Sequence, residues 1–272
     1  MPTVNRKTIV LTGGTGGMGR VAALRLGEAG HHLIVHGRDT GRGNAVVEAI
    51  VSRGGSARFM AADLALLGDV KRFAVRLEAE NERIDVLINN AGIGTGREGA
   101  LRETSADGLE RRFAVNYLAP YLLTRLLIAK IRGSAPARIV NVASDGQEPL
   151  DFSNLQLVHD YSGYFAYCRS KVAEIMFTLD LADELKDTGV TVNCLHPGSF
   201  MDTFMVRQMG HEVVESIDVG ADLVVGLALD PRYEGITGRY FNRGVDVEAN
   251  AQCYDVDTRA KLRAISRELT GV

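Results

Sequence analysis

Residues 8–19 read TIVLTGGTGGMG, in which a short apolar run leads into five glycines within seven positions. The β-branched run predicts a strand, and the apolar segment after the glycines predicts a helix that begins near Gly17. Glycine permits the tight turn between them and lets backbone N–H groups approach a pyrophosphate at the helix N-terminus. The stretch therefore indicates a dinucleotide-binding turn. Its candidate contacts are Gly13, Thr15, Gly16, Gly17, Met18 and Gly19.

A nucleoside-triphosphate loop is the nearest alternative for Gly14–Gly19. Arg20 and Val21 stand where that loop needs Lys and Ser or Thr to hold phosphate and magnesium, so we reject it. A purely structural turn stays open as a second alternative. The glycine spacing also fits two dinucleotide patterns at once, so the turn does not select a subfamily by itself.

Short β-branched runs alternate with longer segments of helical period along the chain. We predict strands at Thr8–Leu11, Leu33–His36, Arg58–Ala61, Val86–Ile88, Arg138–Val142, Val190–Leu195 and Gly238–Asn242. We predict helices at Gly17–Ala29, Gly41–Arg53, Gly68–Asn81, Asp107–Arg132, Tyr164–Lys186 and Gly220–Leu229. Because parallel neighbours need crossover connections, the alternation predicts an α/β fold: a Rossmann-type doubly wound parallel sheet of about seven strands with helices on both faces. No linker or repeat divides the chain, so we expect one domain over residues 1–272.

Two segments depart from this alternation. Asp145–Gly163 is polar and is predicted to form a long loop, and Ser199–Ile217 carries Phe and Met residues directly after a strand. Long ordered loops in compact domains are often functional, so we expect a substrate lid around residues 199–217. The alternative is a helix that packs these apolar residues into the core.

Charge, cysteine content and hydropathy argue against several classes of function. The formal net charge is −3, which is unfavourable for binding nucleic acid. Three widely separated cysteines and six histidines show no metal-ligand spacing, so we expect neither a disulfide scaffold nor a metal site. Charges and Pro120 interrupt the apolar segment Tyr117–Ile131, which falls short of the roughly 20 apolar residues of a membrane span. With no signal peptide expected, we predict a cytoplasmic protein.

The end of the second predicted strand bears on which dinucleotide binds. A carboxylate there hydrogen-bonds the ribose diol of NAD, whereas a cation meets the 2′-phosphate of NADP. Arg38 comes first after the strand and is long enough to pair with phosphate through two hydrogen bonds. Asp39 lies 20 residues after Gly19, as expected of a carboxylate that binds the NAD ribose, but it can instead serve as N-cap of the helix that begins near Gly41. We therefore favour NADP(H) as the cofactor, with NAD(H) as the alternative.

A tyrosine, a lysine and a serine form the candidate catalytic group. Tyr167 and Lys171 lie four apart on a predicted helix and share one face. The ordinary tyrosine pKa is about 10, and a neighbouring ammonium lowers it toward the range of acid–base catalysis. Ser144 follows a buried strand at its carboxyl end, where open α/β sheets place their ligands, and its hydroxyl can donate to a developing alkoxide. The alternatives are a solvent-facing helix pair and a strand-end serine without a catalytic role.

Seven motifs, in order, resemble those of the short-chain dehydrogenase/reductase family along nearly the whole chain. They are TGGTGGMG at 12–19, Asp63-Leu64, Asn89-Asn90-Ala91-Gly92, Asn116, Ser144, Tyr167-Cys168-Arg169-Ser170-Lys171 and His196-Pro197-Gly198. The details look most similar to the retinol-dehydrogenase-like branch, which has Arg after the second strand and a Ser-Lys-x-Ala stretch. The resemblance implies a short-chain alcohol dehydrogenase or carbonyl reductase that uses a nicotinamide cofactor.

The resemblance also implies a role for each matching residue. Tyr167 would be the general acid in reduction and the base in oxidation, while Lys171 would hold the nicotinamide ribose and tune Tyr167. Ser144 would position the substrate oxygen, and Asn116 would hold a water that links Lys171 to solvent. The other cofactor contacts that it implies are Asp63, Leu64, Asn90, Ala91, Gly92, Pro197, Gly198 and Thr203.

The chain departs from the family pattern at two places. The stretch from Ser144 to Tyr167 is longer than in the commonest members, which predicts an enlarged loop on the substrate side. Gly198 and Thr203 are separated by one residue more than in the usual Pro-Gly-x-x-x-Thr pattern, which weakens the inference for Thr203.

Two other functions compete with a carbonyl or alcohol oxidoreductase acting on a small, largely apolar molecule. A sugar-nucleotide epimerase or dehydratase uses a similar tyrosine and lysine but usually needs more chain than the 74 residues after Gly198. A non-catalytic NADP-sensing regulator fits the glycine turn equally well but does not need the catalytic residues. The resemblance further implies a homodimer or homotetramer, paired through the apolar faces of the two longest predicted helices.

Overall fold

The computed structural model describes residues 6–210 and 212–272, and its strands form one eight-stranded sheet. The strands are β1 (Thr8–Leu11), β2 (His32–Gly37), β3 (Ser56–Ala61), β4 (Val86–Asn89), β5 (Ala137–Val142), β6 (Val190–His196), β7 (Arg239–Asn242) and β8 (Val245–Val247). Their spatial order is β3-β2-β1-β4-β5-β6-β7-β8. Neighbours from β3 through β7 are parallel, and β8 pairs antiparallel with β7. The predicted parallel sheet is confirmed, with one more strand than expected.

Helices connect the parallel strands and cover both faces of the sheet. They are α1 (Gly17–Glu28), α2 (Thr40–Val51), α3 (Leu67–Glu80), α4 (Arg111–Phe113), α5 (Ala119–Gly133), α6 (Gly163–Glu184), α7 (Phe204–Met209), α8 (Ile217–Leu229) and α9 (Val256–Thr270). Single 3₁₀ turns lie at Pro231–Tyr233 and Ala251–Tyr254. The helix predicted from Asp107 instead begins at Arg111, and a π-helical turn at Ala114–Leu118 separates α4 from α5.

Alternate residues of the central strands pack into two separate apolar layers. Val10 and Leu87 belong to the layer that includes α3, α5 and α6, whereas Ile9 and Ile88 belong to the layer with α1, α2 and α8. Strand β4 is buried along its whole length. Burial on both faces explains why these strands read as continuous apolar runs rather than as alternating ones.

The strand order reverses beside β1, which lies between β2 and β4. From β1 the chain moves outward through β2 and β3, and then returns to the other side of β1 at β4. A crevice forms at such a switch point, outside the carboxyl ends of the strands. The residues that follow β1, β4, β5 and β6 therefore meet along one edge of the sheet.

The C-terminal part of the chain holds elements that the sequence pattern did not predict. Helix α9 begins after Asp255, whose carboxylate accepts the Thr258 N–H at 2.7 Å, and it ends at Gly271 with φ +80°. Its buried residues are Leu262, Ser266 and Thr270, and only the first is apolar. Leu262, Ile265 and Leu269 nevertheless recur at helical spacing, a signal that the prediction overlooked.

Helix α9 packs against the two long helices that were expected to pair between subunits. The Tyr117 hydroxyl hydrogen-bonds Ser266 Oγ at 2.6 Å, and both groups are buried. The Tyr121 hydroxyl donates to the Val272 carbonyl at 3.1 Å, and Arg263 pairs with Asp180 at 2.6 Å. The chain's own C-terminus thus covers part of this surface, and the expected dimer or tetramer stays a prediction.

Within residues 6–210 and 212–272, no helix is long and apolar enough to cross a membrane. The same part of the chain contains no group of three or more His, Cys, Asp or Glu side chains placed to hold a metal ion. Cys168, Cys194 and Cys253 are free thiols and are buried.

The Tyr117–Ser266 hydrogen bond predicts a measurable loss of stability on substitution. Ser266→Ala leaves the buried Tyr117 hydroxyl without its partner, which should lower the free energy of unfolding by about 1–3 kcal/mol in urea titrations. Ser52→Ala removes an exposed serine hydrogen bond at the end of α2 and should cost less than about 0.5 kcal/mol. Equal effects of the two substitutions would contradict the inferred importance of this contact.

Candidate active site

The glycine turn after β1 leaves no room for side chains where it approaches β4. Gly13 has φ +68°, and a Cβ there would lie 2.8 Å from the Ala91 Cα. A Cβ on Gly19 would overlap the Gly13 carbonyl oxygen. Helix α1 is capped by Gly16, which has no side chain to bind the first backbone N–H groups of the helix. Those N–H groups are therefore available to a negatively charged ligand.

Thr12 joins this turn to the residues that follow β4. Its hydroxyl accepts hydrogen bonds from the N–H groups of Asn90 at 2.9 Å and Ala91 at 3.0 Å. In return, the Asn90 side-chain amide donates to the carbonyl oxygens of Thr12 at 2.8 Å and Gly13 at 3.2 Å. The structure thus brings Asn90 and Ala91 together with the glycine turn, as predicted. Thr12 itself was missed, although it is the first residue of the motif.

His36 forms a second link between the glycine turn and the sheet. The Gly13 N–H donates to His36 Nδ1 at 3.3 Å, and Nε2 lies 3.1 Å from the Ala62 carbonyl oxygen. These contacts require Nδ1 to accept and Nε2 to carry the proton. Burial lowers the pKa of His36 to about 4, so the ring is neutral at physiological pH and keeps this tautomer. No signal in the sequence distinguishes His36, because a histidine inside an apolar strand resembles a core residue.

An open cleft of about 380 Å³ lies at the ends of β2 and β3. Arg38, Asp63 and Asp69 line it together with two alanines. Arg38 is exposed, and no hydrogen bond or ion pair holds its guanidinium among residues 6–210 and 212–272. Asp39 instead caps α2, since its carboxylate accepts the Arg42 N–H at 3.0 Å. Leu64 is buried in the apolar core, apart from the cleft-lining residues.

Ser144 and Tyr167 meet at the carboxyl end of β5. The Tyr167 hydroxyl lies near enough to the Ser144 side chain for Ser144 to lower the Tyr167 pKa, and Ser144 Oγ accepts the Gly146 N–H at 3.1 Å. The Ser144 carbonyl oxygen accepts from the Tyr240 hydroxyl and from the Gln147 amide, each at 3.0 Å. The backbone of the serine is therefore held from β7 and from the following loop, and this fixes where its hydroxyl lies.

The electrostatic balance at Tyr167 favours the protonated hydroxyl. Burial raises its pKa, and the charge of Lys171 and the Ser144 side chain offset only part of that effect. A tyrosine in this state can donate a proton. A cation added nearby would lower its pKa further toward neutrality.

Lys171 is buried one helical turn from Tyr167. Its ammonium donates to the Val142 carbonyl oxygen at 2.6 Å and to Glu174 Oε2 at 2.8 Å. Burial alone would lower the pKa of Lys171, but the charges of Glu174 and Tyr167 outweigh it and the net shift is upward. The lysine is therefore held in its charged form. Glu174 was not among the predicted site residues.

Asn116 lies in the π-helical turn before α5 and is fully buried. Its amide nitrogen donates to the Ile93 carbonyl oxygen and to Ser170 Oγ, both at 3.0 Å, and its oxygen accepts the Ile93 N–H at 2.8 Å. A Cβ on Gly92 would lie 3.4 Å from Asn116 Oδ1 and 3.9 Å from Lys171 Nζ. Asn116 thus joins the loop after β4 to the helix that carries Tyr167. The water expected at Asn116 stays a prediction.

The segment after β6 passes over the glycine turn. Thr203 caps α7 by accepting the Val206 N–H at 3.3 Å, and its methyl carbon lies 3.4 Å from the Cβ position of Gly17. The extra residue before Thr203 therefore does not keep it away from the turn. Gly198, which follows Pro197, has φ +141°, and a Cβ there would overlap the Glu215 carboxylate.

Helix α7 lies against the loop after β4 and is partly apolar and exposed. A Cβ on Gly94 would lie 2.5 Å from Met205, so this methionine rests on the loop. Phe204 is 75% exposed, whereas Met201 and Val206 are buried. The sequence left open that this segment forms a helix whose apolar residues pack into the core. A short helix does form, but only some of the apolar side chains of the segment are buried.

The two ends of this segment are fastened together at its base. The Val214 N–H donates to the Phe200 carbonyl oxygen at 2.9 Å. Arg243, in the turn between β7 and β8, pairs with Glu215 at 2.7 Å and donates to Ser199 Oγ at 3.0 Å. Phe200, Val214 and Glu215 therefore form a fixed base for the described part of the segment between them.

Known proteins resemble this chain over nearly its full length. The sequence profile of the short chain dehydrogenase family matches residues 7–213. Human retinol dehydrogenase 13 is 34% identical over 292 aligned residues, covering 99% of this chain and 86% of that protein. The crystal structure of an uncharacterized protein from Mycobacterium Paratuberculosis superposes with a TM-score of 0.78 at 27% identity, covering 98% of this chain and 94% of that one. A metagenomic short-chain oxidoreductase in complex with NADP gives a TM-score of 0.68 at 29% identity, covering 87% and 96% of the two chains.

Two alanine substitutions in the glycine turn should behave differently. Gly19→Ala forces a methyl group into the Gly13 carbonyl oxygen, so we expect a loss of about 1–3 kcal/mol of stability and weaker binding of NADPH. Gly16→Ala is the matched control for stability, because no heavy atom lies within 4 Å of its Cβ position and its φ of −159° is extended, and Gly133→Ala, at the end of α5, is the control for NADPH binding. Thermal unfolding and NADPH titration by fluorescence measure both effects. A Gly19→Ala protein that matches Gly16→Ala in stability would show that the close approach is not needed.

Proposed function

The chain belongs to the short-chain dehydrogenase family, in its retinol-dehydrogenase-like branch, and we propose that it is an NADP(H)-dependent oxidoreductase. It transfers hydride between nicotinamide and a carbonyl or secondary alcohol of a small, largely apolar substrate. The observation that carries this proposal is the contact between Ser144 and Tyr167, with buried Lys171 one turn away. A binding protein without catalytic function needs no such group.

The residues at the carboxyl edge of the sheet fit a dinucleotide. A Cβ at Gly13 or Gly19 would collide with neighbouring backbone, so glycine lets the turn pack against Asn90 and Ala91, and the N-terminus of α1 is uncapped by any side chain. We propose that the pyrophosphate binds at Gly13–Gly19 and that the adenosine end reaches the cleft at Arg38 and Asp63. We propose that Gly92, Pro197, Gly198 and Thr203 line the nicotinamide end.

The proposed acid–base catalysis depends on the pKa of Tyr167, which burial raises and which Lys171 and Ser144 lower. When bound, the cofactor supplies hydride to the carbonyl or accepts it from the alcohol. In reduction, the Tyr167 hydroxyl donates its proton to the substrate oxygen, while the Ser144 hydroxyl hydrogen-bonds the same atom and holds it. The Lys171 ammonium stabilises the resulting Tyr167 oxyanion. In oxidation the same groups act in reverse, with Tyr167 as the base.

The preference for NADP rests on the different roles of Arg38 and Asp39. Asp39 is used as the N-cap of α2, whereas the Arg38 guanidinium has no partner among residues 6–210 and 212–272 and faces the cleft. A phosphate on the adenosine ribose would supply that partner in a bidentate pair. The NADP found with the metagenomic relative agrees with this assignment.

The apolar substrate class rests on the segment that passes over the site. We propose that residues 199–217 form a lid and that Phe204 and Met205 contact the substrate from it. Phe204 is mostly exposed, and Met205 lies on the loop after β4 near the catalytic group. Flexible methionines adapt to substrates of different shape, which favours a broad apolar specificity.

The proposed general acid predicts the effect of removing one oxygen atom. Tyr167→Phe should lower kcat for reduction by about 10²–10⁴-fold, because Phe has no proton to donate, while leaving NADPH binding within a few fold. The measurement is loss of nicotinamide absorbance with a panel of carbonyl compounds. Tyr254→Phe, which changes an exposed tyrosine far along the chain, should retain activity.

Near-normal reduction of every accepted carbonyl by Tyr167→Phe would overturn the mechanism. Tight NADPH binding by the unsubstituted protein, without turnover of any carbonyl or alcohol in the panel, would instead favour an NADP-sensing regulator.

The cofactor assignment predicts a selective loss of affinity. Arg38→Gln should raise the Kd of NADPH by roughly 10–100-fold and leave the Kd of NADH unchanged, since only NADPH carries the 2′-phosphate. Arg53→Gln is the control, because Arg53 is exposed just past the end of α2 and pairs with Glu28. A parallel loss for both cofactors in Arg38→Gln would place Arg38 outside the phosphate contact.

A further inference from the structure

Glu174 forms a buried ion pair with the lysine of the catalytic group. Lys171 is 5% exposed and Glu174 is 2% exposed, and their charged atoms lie 2.8 Å apart. An ammonium has three N–H donors. Two of them are used by Glu174 and by the Val142 carbonyl oxygen, which leaves one for the site.

Three ionisable residues on one face of α6 are spaced for a common role. Tyr167, Lys171 and Glu174 stand at positions i, i+4 and i+7, which places them on one stripe of the helix. The lysine lies between the other two. A carboxylate buried to this degree is costly unless its charge is paired. The pairing residue here is the lysine that the proposed mechanism needs as a cation.

We propose that Glu174 is a positioning residue that keeps Lys171 protonated and directs its remaining N–H toward Tyr167 and the cofactor. For its effect on turnover, the proposal rests on the proposed function. The ion pair itself is a property of the folded chain.

The groups that face Lys171 leave Glu174 as its counter-ion. Lys171 interacts with Tyr167 on α6, and with Cys194 and His196 on β6. Burial raises the pKa of Tyr167 and Cys194 and lowers that of His196, so all three are neutral near neutral pH. Burial raises the pKa of Glu174 to about 7, against the effect of Lys171. The carboxylate is therefore charged above that pH, in the range where a buried lysine without a counter-ion would lose its proton.

The charge state of Lys171 can be measured without any turnover. The chain contains six lysines, so lysine labelled with ¹³C at Cε gives few NMR signals. The signal that is missing from the spectrum of Lys171→Arg is that of Lys171. We expect the wild-type Lys171 signal to titrate above the ordinary lysine value of about 10.4. In Glu174→Gln, which keeps an acceptor but removes the charge, the midpoint should fall by about one pH unit or more.

Glu184→Gln is the matched control for this titration. It removes the same charge from the same helix, but Glu184 is exposed and pairs with Arg125 at 2.6 Å. Its Lys171 midpoint should equal the wild-type value. A Glu174→Gln midpoint equal to wild type would overturn the proposal. If Glu174→Gln does not fold, the wild-type titration decides, because a midpoint below the ordinary lysine value would also overturn it.

Turnover gives a second readout that a merely structural residue would not change. In Glu174→Gln, kcat/KM for alcohol oxidation should fall tenfold per pH unit above the new Lys171 midpoint, while wild type and Glu184→Gln keep their activity there. A uniform loss at all pH values, with the Lys171 midpoint unchanged, would assign Glu174 a structural role only. If the wild-type protein turns over no carbonyl or alcohol, the proposed function fails, and the NMR titration still tests the ion pair.

Discussion

The close approach of the turn after β1 to the loop after β4 is the constraint on which the site depends. At Gly13 and Gly19 there is no volume for a methyl group, and Thr12 and Asn90 fasten the two segments with four hydrogen bonds. This contact exists because β1 and β4 are neighbours while the chain between them runs through β2 and β3. The same neighbourhood leaves the crevice open at the carboxyl edge. The strand order therefore creates the crevice. Glycine allows the turn after β1 to approach the loop after β4 and to present its backbone N–H groups to the proposed cofactor.

The buried polar groups around the site divide into two kinds. His36 and Asn116 are neutral and hold backbone in place, since each bridges a loop to a neighbouring element. Tyr167, Lys171 and Glu174 differ because burial and charge oppose one another among them. The first kind costs little once its hydrogen bonds are made, whereas the second depends on exact pairing. The residues of the proposed catalytic group belong to the second kind, in which burial and charge shift the pKa in opposite directions.

The sequence predicted the parts of the fold whose signal is local. Strands β1 and β4 carry continuous apolar runs, β5 is rich in β-branched residues, and the glycine turn has its own conformational signature, so their predicted positions were confirmed. Helix α9 was missed although apolar residues recur in it at helical spacing; two of its three buried residues, Ser266 and Thr270, are polar and resemble a solvated face. Within the site, Glu174 escaped notice for a related reason. A glutamate in a helix normally indicates a solvated face, and only the tertiary structure shows that Lys171 lies beside it.

The hydrogen bond between Tyr117 and Ser266 joins positions 149 residues apart. Tyr117 belongs to the same π-helical turn as Asn116, so the last helix supports the turn that braces the loop beside the cofactor site. On a ribosome, β1 through β6 emerge before this support exists. The nascent chain can therefore complete most of its sheet while that turn still lacks its final brace, and contacts of such long separation form late in folding. The π-helical turn beside the site therefore gains its full support only when Ser266 has packed against it.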